Sequence, residues 1–126
     1  DILGWDAAVK VAALVTVLMN TPLTPDRVDR RGIDGLAFDE IQAAARAGKR
    51  WKLVCSAERT AAGIAARVRP ELLCPADPLF NIAGTSSAVT FVTDVLPSLT
   101  ITEGDPGPVT TAYGMLADLL RAAGRL

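Results

Sequence analysis

The chain has 126 residues, a formal net charge of −1, no histidine, two cysteines and a hydrophobic share of 50%. That length fits one domain with a real core, and the near-neutral charge lacks the basic face that an electrostatic grip on nucleic acid needs. Without histidine there is no Ser-His-Asp triad, Cys-His dyad or HExxH zinc site, and Cys55 and Cys74 are too few for a disulfide scaffold or a four-thiolate metal site.

In chain order, residues 6–20, DAAVKVAALVTVLMN, read as a helix with Asp6 at its N-terminus, where a carboxylate complements the dipole. It is apolar almost all round, which marks a central helix. Its longest apolar run, Val11 to Met19, is broken by Thr16 and falls short of the roughly 18 residues a membrane span needs, so no membrane contact is expected. Thr24-Pro25-Asp26 starts a second, short helix that runs through RVDRRGIDG into a turn. An alanine-rich helix over about 38–47 follows, closed by Gly48. Arg50 to Ser56 reads as a strand, and residues 62–69 as its antiparallel partner, stopped by Pro70. From Pro70 to Pro78 three prolines predict extended or loop structure. Ser87 to Thr93, SAVTFVT, alternates as a strand, Leu99 to Thr102 is another, and the loop EGDPGP leads into a last helix over Val109 to Leu126. The fold class is α+β, a mixed or antiparallel sheet covered by helices. The chain opens with Asp1 and shows no basic stretch followed by an apolar run. The compartment therefore reads as cytoplasmic, and the chain as a piece of a longer protein.

Few residues are placed to do chemistry. Asp6 and Lys10 are i,i+4, acid first, the favourable order for an ion pair. As a surface pair they would only decorate the helix. Yet Lys10 is the one charge between Asp6 and Asn20, and on an apolar helix such a lysine is expected to be partly desolvated and able to pass protons. The carboxylate one turn away could hold a substrate ammonium. The loop Gly104-Asp105-Pro106-Gly107 reads either as a plain turn or as a backbone that a flat ligand can approach. Thr85, Ser86 and Ser87 read as turn and cap hydroxyls with no base beside them. Cys55, Cys74, Trp5 and Trp51 read as core and packing residues. No metal site is expected.

These pieces, in this order, resemble the C-terminal, substrate-binding and dimerisation half of homoserine dehydrogenase. GWDAAVKVAALV, residues 4–15, looks like that family's Gly-x-Asp-x-x-x-Lys helix. KRWKLVCSAE, residues 49–58, looks like its strand after the short helices. DPLFNIAGTSSAVTFVTD, residues 77–94, looks like its Pro-Leu segment and the following strand. TITEGDPGPVTTAYGMLADLL, residues 100–120, looks like its glycine-rich loop and closing helix.

The resemblance implies that residues 1–126 are the substrate-binding and dimerisation domain of an oxidoreductase. The family interconverts homoserine and aspartate semialdehyde with NAD or NADP. Lys10 would match the lysine that trades a proton with the reacting oxygen, and Asp6 the aspartate that holds the substrate's amino group. Gly107 would match a loop glycine near the nicotinamide. A homodimer joined through the sheet is implied as well.

Two segments depart from the family pattern. Its loop is commonly Gly-x-Gly-Ala-Gly, where this chain has Glu103, Gly104, Asp105, Pro106 and Gly107. Its asparagine before the Ala-Val of the strand is Ser87 here. A diverged dehydrogenase for another small amino or hydroxy acid, or a stand-alone dimerisation module, remain as alternatives. No strand-GxGxxG-helix unit is present, so the chain alone should bind dinucleotide poorly and be inactive.

Overall fold

A computed structural model describes residues 1–124. The order of elements is α1 (Trp5–Leu18), a 3₁₀ turn (Pro25–Arg27), β1 (Asp29–Arg30), α2 (Phe38–Arg46), β2 (Arg50–Thr60), β3 (Gly63–Leu73), β4 (Ser87–Phe91), β5 (Leu99–Glu103) and α3 (Pro108–Ala122). They divide into two compact units, Asp1–Phe80 and Asn81–Leu126.

In the first unit a three-stranded mixed sheet has the order β1-β3-β2. β2 and β3 form a long antiparallel hairpin, from Arg50↔Leu73 to Thr60↔Gly63. Gly63 takes φ 117° at the turn, a conformation that side chains resist. The Thr60 hydroxyl braces the turn, donating to the Gly63 carbonyl at 2.9 Å and accepting from the Ala62 amide at 3.2 Å.

α1 packs on this hairpin through small residues. Ala7, Ala8, Val11, Ala12 and Val15 recur at helical spacing and join Val28, Ala66 and Val68 in the core, with Leu53, Ala57 and Ile64 at its margin. Val15 and Val68 are fully buried, and each contributes on the order of 1.5–3 kcal/mol of transfer free energy. The helix ends at Met19, whose carbonyl accepts from Arg59 at 2.7 Å, a cation at the negative end of the dipole.

The expected picture of α1 as a helix buried all round is corrected. One stripe is buried, while Val9, Leu14, Val17 and Leu18 are exposed. The stretch Arg27 to Gly35 is also not helical beyond the 3₁₀ turn. Val28 is buried, and Asp29 and Arg30 then form β1, parallel to Arg67 and Val68 of β3. β3 does not stop at Pro70 but runs through it to Leu73. β1 ends opposite Val68, so β3 has one strand neighbour at Pro70, where a missing amide is tolerated.

α2 ends as expected at Gly48, φ 66°. The Lys49 amide reaches the Ala44 carbonyl and the Gly48 amide the Ala45 carbonyl, a Schellman closure. At its start the Glu40 carboxylate accepts from the Ala37 amide at 2.9 Å, half of a capping box.

In the second unit β4 and β5 pair antiparallel, Ser87↔Glu103 through Phe91↔Leu99. The sequence expected β4 to reach Thr93. Instead the Thr93 hydroxyl turns the chain, accepting from the Val95 and Leu96 amides. α3 follows with Pro108 at its first position, where a proline's missing amide costs nothing. Its expected last residues, Arg125 and Leu126, lie outside the described residues. The α+β expectation holds with two small sheets, one mixed and one antiparallel, in place of a single one.

Candidate active site

α1 starts at Trp5, with Gly4 as its N-cap at φ 74°. The sequence expected Asp6 to begin the helix. It lies one position inside, and the carboxylate that takes an orphan amide is Asp1, whose Oδ2 accepts from Ala7 at 2.9 Å. Asp6 is thereby free to face Lys10, and the Lys10 Nζ to Asp6 Oδ2 distance is 2.7 Å.

Both side chains are open to solvent, 69% for Lys10 and 64% for Asp6. The expected desolvation of Lys10 is corrected: the pair stands off the buried stripe of α1 and is largely exposed. As it stands the ion pair is a surface pair, of about 0.3–0.5 kcal/mol.

β2 brings a thiol to the same place. Cys55 is partly open to solvent, yet its Sγ lies 3.5 Å from the Ala7 carbonyl of α1. Burial of the sulfur raises its pKa, nearby Lys10 lowers it, and Asp6 raises it. The expectation of two core cysteines is corrected, since both are exposed to a degree. Cys55 sits where β2 passes the first turns of α1, which side-chain type alone could not reveal.

Two further residues escaped the sequence reading. Asp1 was taken only as the first residue. Arg30, one of several arginines in a polar stretch, lies with its guanidinium 3.9 Å from the centre of the Trp5 ring and donates to the Leu3 carbonyl. Nothing in its sequence surroundings signals this. Trp5 is 47% exposed and so is not a core anchor.

In the second unit, Gly107 is the N-cap of α3 in extended backbone, φ −76° and ψ 173°. A Cβ there would meet nothing within 4 Å. Neither backbone strain nor packing within the described residues requires a glycine. The loop beside it is poorly suited to phosphate. Pro106 and Pro108 remove two amides, and Asp105, held by the Thr85 hydroxyl, brings a negative charge. Ser87 donates to Glu103 at 3.0 Å, so the hydroxyls near this loop serve its geometry. The backbone at Gly107 is therefore open, beside a loop that has few free amides and an added negative charge.

A family model described as homoserine dehydrogenase matches residues 1–120. The chain belongs to the homoserine dehydrogenase family. An NAD(+)-dependent homoserine dehydrogenase of Pseudomonas canavaninivorans is 36% identical over 121 residues, covering 95% of this chain and 34% of that protein. The homoserine dehydrogenase of Corynebacterium glutamicum is 31% identical over 128 residues, 98% of this chain and 29% of its own length. The crystal structure of a homoserine dehydrogenase from Thiobacillus denitrificans superposes with a TM-score of 0.82 at 30% identity, over 98% of this chain and 30% of that one. The chain thus spans about a third of the length of the curated relatives it matches. The fold is that of this homoserine dehydrogenase segment. Among the described residues no helix is long and apolar enough to cross a membrane.

Proposed function

We propose that residues 1–126 hold the substrate in an NAD(P)-dependent oxidoreductase that interconverts homoserine and aspartate semialdehyde, together with a nucleotide-binding domain that holds the dinucleotide phosphates. The observation that carries this reading is the Asp6–Lys10 pair, 2.7 Å apart and exposed on α1 in a chain of this family. A bound nicotinamide dinucleotide supplies the hydride acceptor or donor. NAD is the cofactor named for one relative, and NADP is kept beside it because the choice lies with phosphate- and ribose-binding residues.

The chain's own residues supply the rest. The Asp6 carboxylate accepts hydrogen bonds from the substrate ammonium, a second cation competing with Lys10 for one carboxylate. Once the ammonium is seated, Lys10 loses part of its counter-charge and gains a like charge nearby. Both changes loosen its hold on Asp6 and let the side chain turn to the reacting oxygen. As the free amine Lys10 takes the hydroxyl proton while homoserine is oxidised, and as the ammonium it returns that proton to the carbonyl oxygen in the reverse direction. Gly107 leaves room for the flat nicotinamide ring. The same reading carries a homodimer working in the cytoplasm.

The test is homoserine-dependent dinucleotide reduction by the full-length protein. Asp6→Asn should raise the KM for homoserine more than that for the dinucleotide, and equal effects on both would remove Asp6 from the substrate. A second reading, a dehydrogenase for another small amino or hydroxy acid, is favoured by Asp105 and Pro106 in the loop. A substrate panel separates the two, since homoserine as the best substrate ends the second.

A further inference from the structure

We propose that Arg30 is a positioning residue, fixing the first turn of α1 and so the place of Asp6; the inference rests on the role proposed for Asp6 above. Three consecutive residues before Asp6 each touch this one side chain. The guanidinium donates to the carbonyl of Leu3 and lies over the ring of Trp5 at 3.9 Å. Between them, the aliphatic stem passes Gly4 so closely that a Cβ there would lie 3.3 Å from Arg30 Cγ.

Gly4 is the residue at which the chain enters α1. It sits at φ 74°, and a glycine loses more backbone freedom on ordering than other residues. Arg30 bridges Gly4 from Leu3 on one side to Trp5 on the other. Arg30 is itself fixed: it is paired with Val68 in the sheet, and the next amide, Arg31, donates to the Val68 carbonyl at 2.8 Å. Residues 2 and 3 are pressed on the same support, since the Ile33 amide donates to the Ile2 carbonyl at 2.9 Å and Gly32 lies directly beneath. Besides the buried stripe of α1, the sheet thus has a second hold on the entry angle of the helix through Arg30. An error in that angle is carried straight to the carboxylate of Asp6, and misplacements of about 1 Å are costly in a site that works by orientation.

The experiment compares Arg30→Met, Arg30→Lys and Asp6→Asn in the full-length protein, with both KM values, kcat and Tm. Arg30→Met keeps the stem over Gly4 and removes the bridge. It should raise the homoserine KM about tenfold, with the dinucleotide KM unchanged and kcat within about twofold. Combined with Asp6→Asn it should add nothing to the effect of Asp6→Asn alone. Arg30→Lys keeps the charge and loses the planar fork, so it should fall between wild type and Arg30→Met. It also carries the test should Arg30→Met fail to fold.

A wild-type homoserine KM in Arg30→Met overturns the inference, as does one in Arg30→Lys, which would assign the effect to charge alone. Parallel losses in both KM values, kcat and Tm overturn it in favour of a purely structural role. A homoserine KM unmoved by Asp6→Asn removes the functional reading, and the inference with it.

Discussion

At the scale of single residues, the candidate site is a surface ion pair with a thiol beside it. Asp6 and Lys10 are both exposed, so breaking their contact should change stability by no more than about 0.5 kcal/mol, whatever it does to activity. Urea unfolding of Lys10→Met tests this, and a loss several times larger would mean the pair is structural. Cys55 reports on the same place. Its pKa is raised, chiefly by burial, so the native state favours the neutral thiol. That contribution to stability is fully present below the unfolded-state pKa and is lost as pH rises through the higher folded value. Alkylation at mildly alkaline pH should be slower for Cys55 in the native chain than in the denatured one. Lys10 opposes the shift, so Lys10→Met should slow alkylation further, and a faster reaction would contradict the proximity of the two.

The spacing of Asp6 and Lys10 was legible because i,i+4 on a helix is a local relation. The exposure of Lys10, the thiol on β2 and the Arg30 bridge were not, because each depends on which element packs where.

At the scale of elements, periodic segments were legible and tertiary ones were not. The helical run of α1, the hairpin strand at Arg50 and the glycine closing α2 all follow local patterns, whereas the single buried stripe of α1 depends on what packs against it. β1 has two residues and exists through its pairing with Arg67 and Val68, so no propensity in Asp29-Arg30 could announce it. Pro70 looked like a stop because the sequence does not show that β1 has already ended there.

The glycines rank the strain at the junction of α1 with the sheet. Gly32 has no unusual φ, but a Cβ there would lie 2.2 Å from the Ile2 carbonyl oxygen, so the backbone itself must move. Gly4→Ala meets Val68 at 3.2 Å and also a left-handed φ. Gly48 has the left-handed φ and open space. Alanine should therefore cost about 1 kcal/mol at Gly48 and about 2–3 kcal/mol at Gly32, with Gly4 between. Urea midpoints measure the series, and an unaltered midpoint for Gly32→Ala would contradict the close approach.

At the scale of the whole molecule, large apolar residues are left on the surface. α3 has no buried residue, and Val109, Tyr113, Met115, Leu116 and Leu119 are 53–82% exposed. Monomeric proteins rarely expose contiguous apolar patches of more than a few hundred Å². The 126-residue chain on its own should accordingly bind a hydrophobic dye and sediment faster as its concentration rises. A monomer with no dye binding across the range would contradict this. Within α3, Ala117 and Leu120 are half-buried and the other described residues are exposed.

The most direct measurement of the central claim is the turnover of homoserine by the full-length protein with Lys10→Ala. If Lys10 handles the proton on the reacting oxygen, kcat should fall by about 10²–10⁴-fold while the thermal midpoint and dinucleotide binding stay at their wild-type values. Wild-type turnover in a folded Lys10→Ala protein would contradict the account, leaving Asp6 and Lys10 as an ordinary ion pair on the surface of a helix.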